Sequence, residues 1–394
     1  MNQTVFPERP GAGKPPFVDI AFNASERASL GVEVELQIVD RDSRELRSGA
    51  SRILARLEQE RGRPHPKAKN ELMESNIELV TGICATAAEA RADLEATLGD
   101  VTAAAAELGL GLLCAGTHPF SDWAAQEISP DERYHRLVEE MQWPARRLAI
   151  FGIHTHVGIR SAEKAIAIAN ALTGYIPHFL ALSASSPWFG GRDTGLASSR
   201  CKVFEGLPTA GVPQVLAGWA EFEELMSTLI AARAISSIRE IWWDIRPHPN
   251  FGTVELRICD GMPTMSEITC IAALAQCLVE WMDTLVDRGY TLPCPKAWIV
   301  GQNKWRAARH GVEAEIIVDE QGTLAPLSRV IADLVEELTP VARRLDCEKE
   351  LDHARRILGH GPSYRRQRAW VEAGASLVDV VDGLMGELRS DEPG

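Results

Sequence analysis

The sequence predicts an α+β fold: an antiparallel sheet with one polar, site-lining face, helices on its other face, and a helical C-terminal region packed against them. Three observations predict it. Three separated segments, 30–39, 150–158 and 252–259, alternate polar and apolar residues with the period of a strand. Two Thr-x-x-Glu signatures, Thr86 to Glu89 and Thr264 to Glu267, open long apolar stretches as helix-capping boxes do. From Pro326 to Leu388 the pattern is helical, with breaks near 359–362 and Gly374.

Taken in order, Leu30-Gly-Val-Glu-Val-Glu-Leu-Gln-Ile-Val39 puts Glu33, Glu35 and Gln37 on one strand face and Val32, Val34, Leu36 and Ile38 on the other. Residues 50–60 read as a short helix and 62–69 as a loop. Residues 70–81 end as an alternating strand carrying Asn76 and Glu78. Glu71 and Glu78 are seven apart, so an extended chain would place them on opposite faces; a bend or bulge near Glu74 is needed to bring both to one site. The helix opened at Thr86 stops at Gly109, a short buried strand covers 112–115, and 116–120 is a loop. Residues 131–147 read as a helix interrupted at Pro144.

The next strand, 150–158, turns His154 and His156 to one face and Ile153, Thr155 and Val157 to the other. A helix apolar nearly all round follows over 161–183, which marks it as buried. Residues 185–200 form a polar, Gly-rich loop of the length that usually carries function. Residues 222–234 are helical, and 241–249 a strand meeting a turn. In 252–259, Thr253, Glu255 and Arg257 share the polar face. Thr264 then caps a helix to about Asp287, and 303–310 is a short basic helix.

With 394 residues the chain can bury a large core. We expect one catalytic domain over 28–394 after a flexible leader at 1–27, with no internal repeat or clear linker. The net charge of −14, without a Lys/Arg-rich block, excludes nucleic acid or an anionic membrane as the main partner and suits cation binding. No secretory h-region and no uninterrupted apolar run of roughly 18 residues is present, so a cytoplasmic protein is expected. The eight cysteines form no C-x-x-C pair and read as buried thiols.

Two carboxylates at i and i+2 on a strand lie roughly 6.5–7 Å apart. They repel unless cations sit beside them. One such pair would be an ordinary solvated edge. Here ExE, HxH and ExR recur on three strands, with Glu71, Glu74 and Glu78 in between. Hard oxygen donors with a few imidazole nitrogens suit Mg²⁺ or Mn²⁺ better than zinc. Carboxylates around more than one such ion suggest phosphoryl chemistry. Arg192, Arg200, Arg246 and Arg257 are candidates for an anionic substrate or the charge developed in transfer. No P-loop or GxGxxG is present, so ATP, if used, sits in a sheet-lined cleft.

Six motifs occur in order: GVEVEL, NELMESNIEL, HTHVG, SSPWFGGRDTG, WDIRPHPNFGTVELRICD and NKWRAARHG. With these, over about residues 28–385, the chain resembles the carboxylate–amine ligase family known as glutamate–cysteine ligase type 2, a branch of the glutamine synthetase-like superfamily. The resemblance implies that ATP phosphorylates a substrate carboxylate, that of glutamate, and that an amine such as cysteine's attacks the acyl phosphate. It also implies site roles. Glu33, Glu35, Glu71, Glu78, His154 and Glu255 would hold metal, and His156, Arg306 and Arg309 would contact nucleotide. Arg257 would stabilise the transferred phosphoryl group, with Glu255 beside it, and Arg192, Arg200 and Arg246 would hold substrate. A homo-oligomer stays open.

Other residues read as structural. Glu74 is expected to be a solvated neighbour, His118 and His248 to cap turns, Trp242 and Trp243 to lie in the core, and Cys201 and Cys259 to lack the base a nucleophile needs. The same carboxylates and histidines would also serve a metal-dependent amide hydrolase. Nucleotide dependence separates the two readings.

Overall fold

The computed structural model describes residues 19–394. In chain order the elements are β1 (Leu30–Asp40), α1 (Ala50–Arg61), β2 (Ala68–Asn70), β3 (Asn76–Val80), α2 (Ala87–Glu107) and β4 (Leu110–Leu113). Then come α3 (Glu132–Met141), α4 (Trp143–Arg146), β5 (Gly152–Gly158), α5 (Ala162–Leu172), α6 (Ile176–Ser183), β6 (Trp188–Phe189), β7 (Arg192–Asp193), α7 (Arg200–Phe204) and α8 (Trp219–Ala231). The rest is β8 (Ile245–His248), β9 (Thr253–Asp260), α9 (Met265–Asp287), α10 (Ala297–His310), β10 (Glu315–Ile317), β11 (Leu324–Pro326), α11 (Leu327–Arg344), α12 (Glu348–His360), α13 (Ser363–Glu372) and α14 (Leu377–Ser390).

One antiparallel sheet runs β2-β3-β1-β5-β9-β8, with β4 paired to the C-terminal half of β1. The period-2 alternation decides which face is which. Val32, Val34, Leu36 and Ile38 of β1, Ile77 and Leu79 of β3, Ile153 and Val157 of β5, and Val254, Leu256 and Ile258 of β9 are all buried in one core with residues of α2, α5 and α9. Each such side chain contributes roughly 1.5–3 kcal/mol on burial, so slipping a strand by one residue would turn its whole apolar set into the wet face.

Several boundaries differ from the sequence reading. Glu71 and Glu78 are brought together by a full chain reversal: β2 and β3 form a hairpin with Lys69 opposite Glu78. The break in 131–147 falls at Gln142, whose φ is 53°, while Pro144 lies in the first turn of α4, where its missing N–H costs nothing. The basic helix begins earlier, at Ala297, and the helical C-terminal region has a further break at Leu345–Cys347. Thr264 does cap α9, but the Glu267 carboxylate turns away to Arg366, 2.9 Å distant. The windows 162–183 and 265–287 are apolar enough on average to cross a bilayer; 78% of each is buried inside this fold, which accounts for their hydropathy.

Of the expected leader, residues 1–18 lie outside the described residues. Ile20 donates its N–H to Glu223 and Phe22 sits edge-on to Trp219, so 20–22 are held against α8. All eight cysteines are free thiols, and only Cys294 is exposed.

Candidate active site

Strand register assembles the site. Across β1 and β5, Glu33 lies opposite His154; across β1 and β3, Glu35 lies opposite Glu78; across β5 and β9, His156 lies opposite Glu255; and across β9 and β8, Glu255 lies opposite Arg246. The polar faces of five strands therefore form one continuous, largely buried row. Between Ile153 and Thr155 the β5–β9 pairing shifts, so Arg257 and Ile258 together face His154. This bulge sends both Ile258 and Cys259 into the core.

Glu33 is the hub. Its Oε2 lies 3.1 Å from His154 Nδ1, and its Oε1 lies 3.5 Å from His156 Nε2. Burial opposes its ionisation, but the neighbouring imidazoles of His154 and His156 prevail and hold its carboxyl well below the usual range. Two donor triads, each with ligand atoms within 4.8 Å of one another, share it: Glu33 with His156 and Glu255, and Glu33 with Glu78 and His154.

The remaining carboxylates crowd the same face. Burial, then Glu71, pushes Glu35 up to about 7. Burial, with the charges of Glu71, Glu33 and Glu35 added, pushes Glu78 well above its ordinary value. Glu71 is raised by burial too. Glu35 also accepts the Gly152 N–H. Gly152 leaves room for the Arg200 guanidinium, which would have to move if a Cβ stood there.

Glu255 is fully buried and held ionised: burial alone would raise it, but Arg257 and Arg246 drive it far down. Arg246 binds its Oε2 through Nε at 2.9 Å and Nη2 at 2.7 Å, while Arg257 Nη1 bonds to its Oε1. His154, by burial and then the charge of Arg257, is pushed down to about 4 and is neutral at physiological pH.

These residues fit divalent cations. His156 Nδ1 pairs with Thr253 Oγ1 at 3.0 Å, but the buried Nε2 has no hydrogen-bond partner. With Nδ1 donating to Thr253, Nε2 presents a lone pair toward the oxygens of Glu33 and Glu255, a placement that an ion satisfies and a proton-poor cluster does not. Carboxylates driven toward the protonated form by one another make the same demand.

Arg246 is tied down within the sheet: its Nη1 bonds to the Arg239 and Ile241 carbonyls at 3.0 Å, and its other nitrogens hold Glu255. Arg200 is buried beneath β9, 3.4 Å from the Arg257 and Ile258 carbonyls, and its charge favours the ionised forms of Glu35 and Asp260. Arg192 is exposed on the β6–β7 ribbon. Arg306 donates to the Glu315 carbonyl, and Arg309 lies exposed near the end of α10. Among the described residues none of these three contacts the carboxylate cluster.

Glu74 is buried, not solvated: its carboxylate takes the Ser51 hydroxyl at 2.6 Å and its carbonyl takes the Gly49 and Ala50 N–H groups at 2.9 Å, which caps α1. His118 does cap a turn, accepting from Phe120 and Ser121. His248 instead stacks on Phe251 beside His156. Sequence reasoning missed Phe251 and the buried Lys304–Asp244 pair at 2.6 Å, whose Asp244 carbonyl accepts the Arg257 N–H. Thr253 was legible on the polar face; the others carried no periodic signal.

Comparison with known proteins agrees with the geometry. The family model described as glutamate-cysteine ligase family 2 (GCS2) matches residues 29–376. A Frankia casuarinae protein provisionally named glutamate–cysteine ligase 2-1 is 56% identical over 378 residues, covering 95% of this chain and 99% of the relative. A Thermobifida fusca protein provisionally named glutamate–cysteine ligase 2 is 53% identical over 375 residues, covering 95% and 94%. The fold is similar to that of the Francisella tularensis glutamate–cysteine ligase solved with AMP, with a TM-score of 0.68, 13% identity, and coverage of 94% of this chain and 90% of that one. It also resembles a bifunctional glutathione synthetase from Pasteurella multocida, with a TM-score of 0.64, 15% identity, and coverage of 92% and 52%. The chain belongs to glutamate-cysteine ligase family 2.

Proposed function

We propose that the protein is an ATP-dependent carboxylate–amine ligase that phosphorylates the side-chain carboxylate of glutamate and joins it to an amine, nominally that of cysteine, with release of ADP and phosphate. One observation carries the reading: a single carboxylate, Glu33, is shared by two metal-type donor triads, one of which includes Glu255, itself paired with Arg257. Shared carboxylates with an adjacent arginine suit a phosphoryl group in transit better than a lone activated water. The family assignment points the same way, and no observation favours the hydrolase.

Glu33, Glu78, His154, His156 and Glu255 would hold divalent cations, Mg²⁺ or Mn²⁺ by donor type, with Glu35 and Glu71 beside them. Such ions neutralise and orient phosphate oxygens. Arg257 would carry the charge on the transferred group. Its guanidinium stays protonated at any working pH, and Glu255 Oε1 fixes its direction. Arg246 acts one step back by holding Glu255. Neutral His154 keeps a lone pair for ligation, while Thr253 sets the ring of His156.

The test is ADP release with Mg²⁺ and ATP across a panel of amino-acid pairs that includes glutamate with cysteine. Release that requires both partners establishes the ligase and identifies its substrates. Bond cleavage without nucleotide would overturn it.

A further inference from the structure

We infer that the outer face of Phe251 is the stacking surface for the purine base of the nucleotide, which makes Phe251 a base-recognition residue of this site. The inference rests on the ligase reading above, in which the phosphates lie against the carboxylate row.

Phe251 is 57% exposed, an unusual position for a phenyl ring. It is not on a loose loop. The β8–β9 turn is closed by Phe251 N–H to the His248 carbonyl at 3.2 Å and Gly252 N–H to the Pro249 carbonyl at 3.2 Å. From outside, Asn23 N–H clasps the Pro249 carbonyl at 2.9 Å and Asn23 Nδ2 the Asn250 carbonyl at 2.9 Å. The clasp is so close that Gly252, at φ 64°, could carry no side chain: its Cβ would fall 1.6 Å from the Asn23 carbonyl oxygen. The chain thus holds this ring rigidly in the open.

Its position explains what the ring is for. One face is backed by His248, stacked at 4.2 Å with the planes 10° apart. His156 and Phe251 pack edge-to-face with ring centroids 5.5 Å apart, and His156 in turn lies 3.5 Å from Glu33 and 3.8 Å from Glu255. Phe251 therefore stands one ring beyond the cluster, about a nucleotide's reach from where phosphates would sit. Every base has a π-face, and base–aromatic stacking is among the stronger contacts a flat exposed ring can make. His248 cannot move aside, since Phe251 and His156 both bear on it, so the sandwich is pre-organised and loses little freedom on binding.

The test compares two ligands that share phosphates but differ in the base: MgATP and Mg-tripolyphosphate, each titrated calorimetrically into wild type, Phe251→Ala and Phe251→Trp. We expect wild type to bind MgATP tighter than Mg-tripolyphosphate. Phe251→Ala should weaken MgATP roughly tenfold and leave Mg-tripolyphosphate unchanged, and Phe251→Trp should restore MgATP affinity. Unchanged MgATP affinity in Phe251→Ala would overturn the stacking role while leaving the ligase reading standing. Equal losses for both ligands would also overturn it, because they would mean that the turn, not the base contact, had been damaged. A wild type that binds neither ligand would remove the nucleotide reading itself.

Discussion

Arg246 holds Glu255 through a single oxygen: Nε and Nη2 both reach Oε2, at 2.9 and 2.7 Å, across the β8–β9 pair. The other oxygen, Oε1, is thereby left for Arg257 and for His156 at 3.8 Å. On the proposed ligase reading, this division separates a supporting arginine from a reacting one. Replacing Arg246 by Lys keeps the charge but loses the fork and the two carbonyl bonds, so Glu255 is held through Oε1 alone. We expect kcat to fall roughly 10- to 100-fold, as for residues that orient a ligand, with the KM values for the amino acids little changed. Steady-state kinetics check it.

Arg257→Lys removes the bidentate group from the reacting side itself. An ammonium on a shorter stem cannot span Glu255 and a transferred phosphoryl group together. The expected loss is roughly 10³-fold in kcat. ATP affinity, measured by calorimetry, should hold within a fewfold, because the interaction belongs to the transition state.

Metal dependence should carry a pH signature. With no ion bound, Glu35, Glu71 and Glu78 have raised folded pKa values, so the folded chain holds protons that the unfolded chain has released. Their contribution is complete below about 4.5 and is lost as pH rises through about 7 for Glu35 and beyond it for Glu78. Metal-free protein should therefore melt several degrees lower at pH 8 than at pH 6. Mg²⁺ takes the place of those protons, so its stabilising effect should be larger at pH 8. Thermal melts with chelator and with Mg²⁺ at both pH values test the sign. Glu33→Gln, which strikes both triads, should abolish the Mg²⁺ response.

Glu74→Ala provides the contrasting case. Its carboxylate holds the first turn of α1 through Ser51 and touches none of the metal-type triads. Loss of such a cap costs about 1 kcal/mol, a drop of roughly 2 °C in Tm. Turnover per folded molecule should not change.

What the sequence revealed followed the physics of the strand. Period-2 alternation was enough to put Glu33, Glu35, His154, His156, Glu255 and Arg257 on wet faces, and those faces do share one side of the sheet. The seven-residue gap between Glu71 and Glu78 demanded a change of direction without saying that it would be a hairpin. Parity could not rank the arginines. Arg246 and Arg257 both flank polar positions, and only the cross-strand register opposite Glu255 shows which one is tied down. Glu74 looked solvated because its partners, Ser51 and the backbone of Gly49 and Ala50, come from a preceding helix that no local pattern connects to it. Phe251 belongs to no repeat, and its significance lies in a turn clasped by Asn23, more than two hundred residues away.

That long-range clasp, with the strand order behind it, also determines when the site comes into being. β1 is synthesised early, yet its central residues are flanked by β3 on one edge and by β5, about 120 residues later, on the other, and β5 is completed only by β9. The polar row of Glu33, His154, His156 and Glu255 cannot exist on the ribosome until residue 260 has emerged, and Asn23 must wait nearly as long for its turn. Closing loops of this length makes for slow folding. Until β9 docks, a nascent chain displays the open edge of β5 beside a row of mutually repelling carboxylates, and it is in that interval that the protein is most exposed to mispairing and most in need of a chaperone.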